Sequence, residues 1–283
     1  MGGRGYGAVA VSAAAPAAAV RPQHGRWRRS VGHHLLGWLG LAVALGAWQL
    51  LAVVLDKTVF PSFSQSLVAV GQLLSGPVLT DDILPSVGRA LAGFAISGVL
   101  GVVLGLVLGY VRRLGDYCSA VIDFLRSVPS PLLVPLALVV MGLGARMVIA
   151  VIVSAAIWPV MLNAFDAARR IEPLYLDTAR ISGLRGVGLF RTVLLPATLP
   201  AIFAGLRVAL SVSLAVLVVA EILGASSGIG FFIQNAQQTF AVPQTYAGVI
   251  ILACLGWLFD TVFLVVERRL LRWERALSGG AHA

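Results

Sequence analysis

Six polar side chains interrupt long apolar stretches of this sequence or stand at their ends: Asp123, Arg126, Asn163, Arg207, Glu221 and Asp260. Ionisable groups are costly in apolar surroundings and usually face a helix-bundle interior or an aqueous cavity. The two arginines could bind an anion such as a sulfonate, because a guanidinium pairs well with planar or trigonal oxyanions. The same residue types also fit structural ion pairs between the arginines and Glu221 or Asp260, or charges that snorkel towards water.

Side chains that commonly perform catalysis are scarce. The chain of 283 residues has one lysine, Lys57, so it cannot form the phosphate-binding sequence Gly-x-x-x-x-Gly-Lys-Ser/Thr. Two isolated cysteines, Cys118 and Cys254, define neither a disulfide framework nor a metal site. All four histidines lie in or near the termini: His24, His33, His34 and His282. We therefore expect no enzyme activity, no metal and no cofactor in this chain.

The composition indicates that these residues are carried by a membrane protein. The chain is 59% hydrophobic and 12% charged, with a mean hydropathy of +0.93, whereas a soluble domain is about 25% charged. The net charge of +9 is not taken as a nucleic-acid footprint, because the basic residues lie between apolar runs, where membrane topology accounts for them.

Six stretches are near the roughly 20 residues that cross a bilayer as a helix: 35–55, 86–110, 117–142, 145–165, 197–221 and 245–266. Pro129, Pro131 and Pro135 interrupt the third of them. The predicted organisation is a disordered basic tail over 1–30, a first span and outer segment over 31–83, a transmembrane domain over 84–268 with a polar loop at 166–196, and a basic tail over 269–283.

The basic residues also predict the orientation. If both termini are cytoplasmic, 16 of the 21 lysines and arginines fall in inner segments, which is the excess expected of cytoplasmic loops. The outer segments are then 56–85 and 222–244, with short helices near 66–74 and 231–239.

Small residues recur every four positions in the second stretch: Gly93, Ser97, Gly101, Gly105 and Gly109. Such spacing forms one flat helical face that lets a neighbouring backbone approach closely. We interpret it as a helix-packing face.

The polar loop contains a predicted helix–turn–helix. Pro173 is suited to the first turn of a helix over 174–182, in which Leu174, Ala179 and Ile181 would make apolar contacts. Gly183 can adopt the left-handed conformation that ends a helix. A second short helix over 186–194 is expected to stop before Pro196, which would start the next span. An ordinary positively charged cytoplasmic loop is the alternative.

The spacing within this loop favours the structured alternative. Asp177-Thr178-Ala179, then Gly183, Val193 and Leu195-Pro196, resembles the loop of binding-protein-dependent ABC transporter permeases. That family pattern reads Glu-Ala-Ala, three residues, Gly, nine residues, Ile, one residue, Leu-Pro. Asp177 is shorter than the family's Glu, and Thr178 replaces Ala, but the register is kept.

The resemblance extends over about 84–275 and is closest to the nitrate/sulfonate/taurine/bicarbonate branch. Segments 125–129, 205–207, 220–230 and 267–275 carry it. It implies an all-α, multi-pass, type I importer fold in a bacterial inner membrane. Two permease copies would bind two ATPase subunits, which hold ATP and Mg²⁺, and an extracytoplasmic binding protein would deliver the solute. The ATPase-coupling residues would be Leu174, Tyr175, Asp177, Thr178, Ala179, Arg180, Gly183, Leu184 and Pro196.

A translocation path can be assigned only by residue type: Arg126, Pro129, Ser130, Asn163, Arg207, Ser211 and Glu221. The alternative function is a secondary transporter or channel that works alone. Such proteins use coupling-ion sites at the membrane midplane and often inverted repeats, and neither is visible in the sequence.

Overall fold

A computed structural model describes residues 29–54 and 60–272. The described residues divide into two units, of which the first contains 29–50 and the second contains 51–54 and 60–272. The helices are α1 (Arg29–Val54), α2 (Phe63–Ser75), α3 (Leu84–Tyr110), α4 (Arg112–Ser127), α5 (Leu133–Met141), α6 (Ala145–Arg170), α7 (Pro173–Ile181), α8 (Val187–Leu189), α9 (Leu195–Gly224), α10 (Ile229–Gln238) and α11 (Val242–Leu270). These ranges contain no β-strand, which agrees with the predicted all-α class. Most of the predicted tails, 1–28 and 273–283, lies outside the described residues.

Four described helical segments are long and apolar enough to cross a membrane: Leu79–Tyr110, Ala145–Arg170, Val187–Gly224 and Val242–Leu270. A fifth span results if α4 and α5, which meet at a 73° bend, are counted as one. Within α1, Ala42–Val54 is a shorter apolar stretch. The predicted total of about six spans, and the orientation, stay predictions.

The bend between α4 and α5 lies at the predicted prolines. Val128 is extended (φ −73°, ψ 119°), because a residue that precedes a proline avoids the helical region. A short 3₁₀ turn, Ser130–Leu132, then leads into α5. The third stretch is therefore broken rather than straight, and it begins at Arg112, five residues earlier than predicted.

The small-residue face of α3 packs against α6, as the spacing predicts. A Cβ atom at Gly105 would lie 2.4 Å from the Met161 carbonyl oxygen, and one at Gly109 would lie 2.6 Å from that of Phe165. Since both neighbours are backbone atoms, the two helices approach as closely as glycine allows. Helix α9 also packs against α6, so α3, α6 and α9 together form the centre of the second unit.

The prediction that a second short helix ends before Pro196 is wrong. α8, a π-helical segment (Phe190–Leu194) and α9 run on as one span, Val187–Gly224. The same arrangement precedes Pro85, where the π-helical segment Leu79–Ile83 leads into α3. A proline ring collides with the carbonyl four residues earlier in a regular α-helix, and the wider π turn relieves that collision.

The two short helices predicted for segments 56–85 and 222–244 are present. α2 begins with a capping box, in which Gln65 N–H donates to the Ser62 hydroxyl and Ser62 N–H donates to the Gln65 side chain. This pairing satisfies two backbone donors that a helix start leaves free. α10 begins at Ile229, two residues before its predicted start.

Candidate functional site

Helix α7 is a short element with a defined start and end. Pro173 occupies its first turn, after Glu172 in an extended conformation. At the other end Gly183 has a φ of +85°. There Gly183 N–H donates to the Arg180 carbonyl (3.0 Å) and Leu184 N–H to the Ala179 carbonyl (3.0 Å), the two bonds of a Schellman cap. The predicted helix and its glycine stop are thus confirmed, and the cap fixes where α7 ends.

The apolar side chains of α7 mostly point away from the protein. Leu174, Tyr175 and Ile181 are 70%, 62% and 88% exposed. Of the three residues predicted to make apolar contacts, only Ala179 is buried. Large exposed apolar side chains of this kind are typical of surfaces that contact another protein or a membrane.

Arg180 connects this helix to the transmembrane core. Its Nη2 donates to the Tyr110 hydroxyl at the end of α3 (3.0 Å), and its Nη1 to Asp177 Oδ1 (3.1 Å). The hydrogen bond and charge interaction with Tyr110, and then the Asp177 carboxylate, raise the pKa of the Arg180 guanidinium above its ordinary value. Since an arginine side chain stays charged in proteins, a charge-assisted hydrogen bond joins α7 and α3.

The hydroxyl groups at the end of α7 donate hydrogen bonds to backbone carbonyls of the same helix. The Thr178 hydroxyl donates to the Leu174 carbonyl (2.8 Å) and the Ser182 hydroxyl to the Thr178 carbonyl (3.0 Å). Thr178 and Asp177 remain exposed. Pro196 lies farther on, in the first turn of α9, so it positions the span rather than the exposed face of α7.

A cavity of about 580 Å³ lies beside α7, between the end of α6 and the start of α9. Asn163, Asp166 and Arg170 of α6 line one side, Tyr175 of α7 another, and Ala197 and Ala201 of α9 a third. Asn163 Nδ2 donates to the Pro159 carbonyl (2.8 Å).

The structure distributes the residues of the predicted path over four places. Pro129 and Ser130 lie at the bend after α4, and Arg126 forms an exposed ion pair with Asp123 one turn earlier (2.9 Å). Asn163 lies at the cavity, while Arg207 and Ser211 lie on the exposed side of α9. Glu221 is fully buried at the opposite end of α9.

Arg207 forms a two-pronged ion pair with Asp260 of α11. Its Nε and Nη2 donate to the two carboxylate oxygens at 3.1 and 3.2 Å. This is one of the structural pairs that the sequence allows. Nearly half of each side chain is nevertheless exposed, 49% for Arg207 and 42% for Asp260.

A family profile described as "Binding-protein-dependent transport system inner membrane component" matches residues 98–275. The chain belongs to this family. It is a multi-pass permease of the inner membrane, and the predicted family resemblance is confirmed.

Several relatives of this permease are named for the solute that they transport. The permease is 32% identical over 258 residues to a putative aliphatic sulfonates transport permease protein of Bacillus subtilis, covering 89% of this chain and 94% of that one. A protein of the same name from Escherichia coli is 34% identical, with 82% and 89% covered. A bicarbonate transport system permease protein of Synechococcus elongatus is 33% identical, with 67% and 68% covered.

A solved structure shows the same fold. A chain of the MetNI methionine ABC transporter in an inward-facing conformation superimposes with a TM-score of 0.54. The match covers 65% of the permease and 93% of that chain at 22% identity. The predicted type I importer fold is therefore confirmed.

The buried partner of Glu221 is Arg89 of α3. Arg89 Nη1 donates to Glu221 Oε1 at 2.8 Å, and the Ser86 hydroxyl and Gly230 N–H donate to the same carboxylate. Arg89 also donates to the carbonyl and hydroxyl of Ser227. The network joins α3, the end of α9 and the loop before α10.

Sequence reasoning missed Arg89 and Ser86 as members of this cluster, and it offered only Arg126 and Arg207 as arginine partners for Glu221. A usable signal was present: Arg89 lies in an apolar span with no acidic residue close to it along that helix. A charge in such a position needs a partner from another span.

Proposed function

We propose that this permease, as a pair of identical copies, forms the translocation path of an ABC importer. Two ATPase subunits, which bind ATP and Mg²⁺, would dock on the α7 helices, and an extracytoplasmic binding protein would deliver the solute from the other side. The observation that supports this most directly is the exposed apolar face of α7, which is capped at Gly183 and bonded to α3 through Arg180 and Tyr110.

The geometry of α7 suits the transmission of movement. A helix with a Schellman cap has its end carbonyls satisfied, so it can be displaced as a unit. The Arg180–Tyr110 hydrogen bond then carries the displacement into α3, whose small-residue face packs against α6. ATP-driven closure of the partner would in this way reach the centre of the permease. Both termini would be cytoplasmic, on the same side as α7.

The proposed solute is a small oxyanion. Relatives of this permease are named for aliphatic sulfonates and for bicarbonate. In this chain Arg207 presents a guanidinium on the exposed side of a spanning helix, and a guanidinium fork matches the two-oxygen edge of such anions.

Introducing a charge on the exposed face of α7 tests the docking. We expect Leu174→Glu and Ile181→Glu to reduce recovery of the ATPase with the purified permease at least tenfold, because each buries a carboxylate in an apolar contact. Val187→Glu is the matched control, since Val187 is 71% exposed but lies beyond α7. Normal amounts of ATPase with Ile181→Glu, or equal loss with Val187→Glu, would show that α7 does not carry the contact.

The cap of α7 provides a second test of the same proposal. Gly183→Pro removes the N–H that bonds to the Arg180 carbonyl and cannot adopt a φ of +85°. We expect the variant to insert into the membrane normally and to lose the ATPase. Gly183→Asn should keep most of the association, because asparagine tolerates the left-handed region. Undiminished co-purification with Gly183→Pro would contradict the proposal.

A further inference from the structure

The Arg207–Asp260 ion pair lies deep within the apolar spans. Along the helix, Arg207 is about 24 Å from Arg191 on one side and about 26 Å from Gly224 on the other. Asp260 stands within α11, about 27 Å from Val242 on one side and about 10 Å from Glu267 on the other. Both helices are long and apolar enough to cross a membrane. An ion pair that is exposed at this depth would meet hydrocarbon unless water or protein covers it, and contact of charges with hydrocarbon is strongly unfavourable.

The residues around Arg207 do not form a lipid-facing surface. The exposed positions on this side of α9 are small, namely Ala197, Ala204, Ser211 and Ala215, except for Val208, which is 52% exposed. The exposed side of α3 is different and carries large apolar residues throughout: Ile96, Val99, Leu100, Val103 and Val107. Large side chains are what lipid solvates well, whereas a row of small residues leaves a shallow groove along α9.

This groove leads to the cavity beside α7. Ala204, Ala201 and Ala197 precede Arg207 in sequence at successive spacings of three, three and four residues, which places them on one side of α9. Ala201 and Ala197 also line the 580 Å³ cavity with Asn163. The small-residue face therefore extends from Arg207, in the middle of the span, to the cavity beside α7.

We propose that Arg207 and Asp260 form an anion-exchange gate in a water-filled translocation path along this face of α9. This inference rests on the proposed transport function and assigns the path and its selectivity within it. Asp260 occupies both arms of the Arg207 fork. A passing sulfonate or bicarbonate offers the same two-oxygen edge, so it can replace Asp260 on Arg207.

The exchange explains how an arginine can select an anion without trapping it. While the solute is bound to Arg207, the Asp260 carboxylate stands beside it and repels it. Return of Asp260 to Arg207 then expels the solute and restores the neutral pair. No proton transfer or covalent step is needed.

Thiol labelling tests the proposal without knowledge of the solute. The native Cys118 and Cys254 are replaced by alanine, and Ser211→Cys is introduced one turn beyond Arg207. Inside-out membrane vesicles that contain the assembled transporter with its ATPase are treated with an anionic sulfonatoethyl or a cationic trimethylammonioethyl methanethiosulfonate. The unmodified cysteine is then counted with a maleimide after denaturation. Val99→Cys, on the exposed apolar side of α3, is the control.

We expect Ser211→Cys to react and Val99→Cys to stay unmodified. The anionic reagent should react faster than the cationic one, and this preference should fall about tenfold with Arg207→Gln and rise with Asp260→Asn. Arg207→Lys, which keeps the charge, should retain it. These variants separate the charge of Arg207 from any effect on folding.

Two results would overturn the proposal. One is a Ser211→Cys that is protected both with and without ATP, in a transporter that still binds its ATPase and hydrolyses ATP, since this face of α9 would then be dry. The other is a charge preference that Arg207→Gln leaves unchanged. Both leave the proposed importer function standing, whereas loss of the ATPase from the unmodified permease would refute that function itself.

Discussion

Glu221→Ala is expected to destabilise the permease by about 3–5 kcal/mol, the range observed when one partner of a buried ion pair is removed. The Glu221 carboxylate is fully buried and accepts hydrogen bonds from Arg89, Ser86 and Gly230. Without it the Arg89 guanidinium keeps only its bonds to Ser227, and its Nε already has no partner among the described residues. The measurement is the thermal unfolding of detergent-purified protein, followed by tryptophan fluorescence.

Two comparisons show whether the ion pair is the cause. In the double variant Arg89→Met with Glu221→Leu, the loss of stability should be smaller than the sum of the losses caused by Arg89→Met alone and by Glu221→Leu alone. The reason is that the double variant leaves no unpaired charge. Asp123→Ala is the exposed control: its pair with Arg126 is half-exposed at both ends, and such pairs contribute about 0–1 kcal/mol. Additive losses in the double variant would show that Arg89 and Glu221 act independently.

The network also fixes the loop that follows α9. Gly228 has a φ of +121°, and a Cβ there would lie 2.4 Å from the Glu221 carboxylate. Gly228 N–H donates to Asp82, and Ile229 N–H to the Ser86 hydroxyl. The glycine-rich segment before α10 is therefore held in one conformation by the side chains of Asp82, Ser86 and Glu221.

Local patterns were sufficient to predict α6, α11 and α7. Hydropathy over 20 residues reports whether a helix suits lipid, and it located α6 and α11 to within a few residues at most ends. The start of α7 at Pro173 and its stop at Gly183 depend only on backbone chemistry close in sequence. These features need no information about the rest of the fold.

Which distant side chains form a pair was not predictable: the position of Arg89 called for a partner from another span but did not identify it. Glu221 and Arg89 are far apart in sequence, and only the packing of α3 against α9 brings them together. The continuous helix through Pro196 was missed for a different reason. Proline was expected to end the preceding helix, but the π-helical segment Phe190–Leu194 accommodates it.

Gly105→Ala is expected to destabilise the permease by about 1–3 kcal/mol or more, although alanine is the better helix former. Its Cβ would lie 2.4 Å from the Met161 carbonyl oxygen and 2.7 Å from the Ala164 Cβ. The Met161 carbonyl oxygen is a backbone atom of α6, so it cannot move aside as the end of a flexible side chain can. The substitution should push α3 and α6 apart and expose the core around Leu106 and Ala164.

Gly88→Ala is the matched control, because Gly88 lies in the same helix and a Cβ there meets nothing within 4 Å. Replacing it should leave stability unchanged or raise it by up to about 1 kcal/mol through helix propensity alone. Since the propensity gain is the same at both positions, the difference in melting temperature between the two variants isolates the helix contact. A Gly105→Ala protein that melts no earlier than Gly88→Ala would mean that α3 and α6 do not pack this closely.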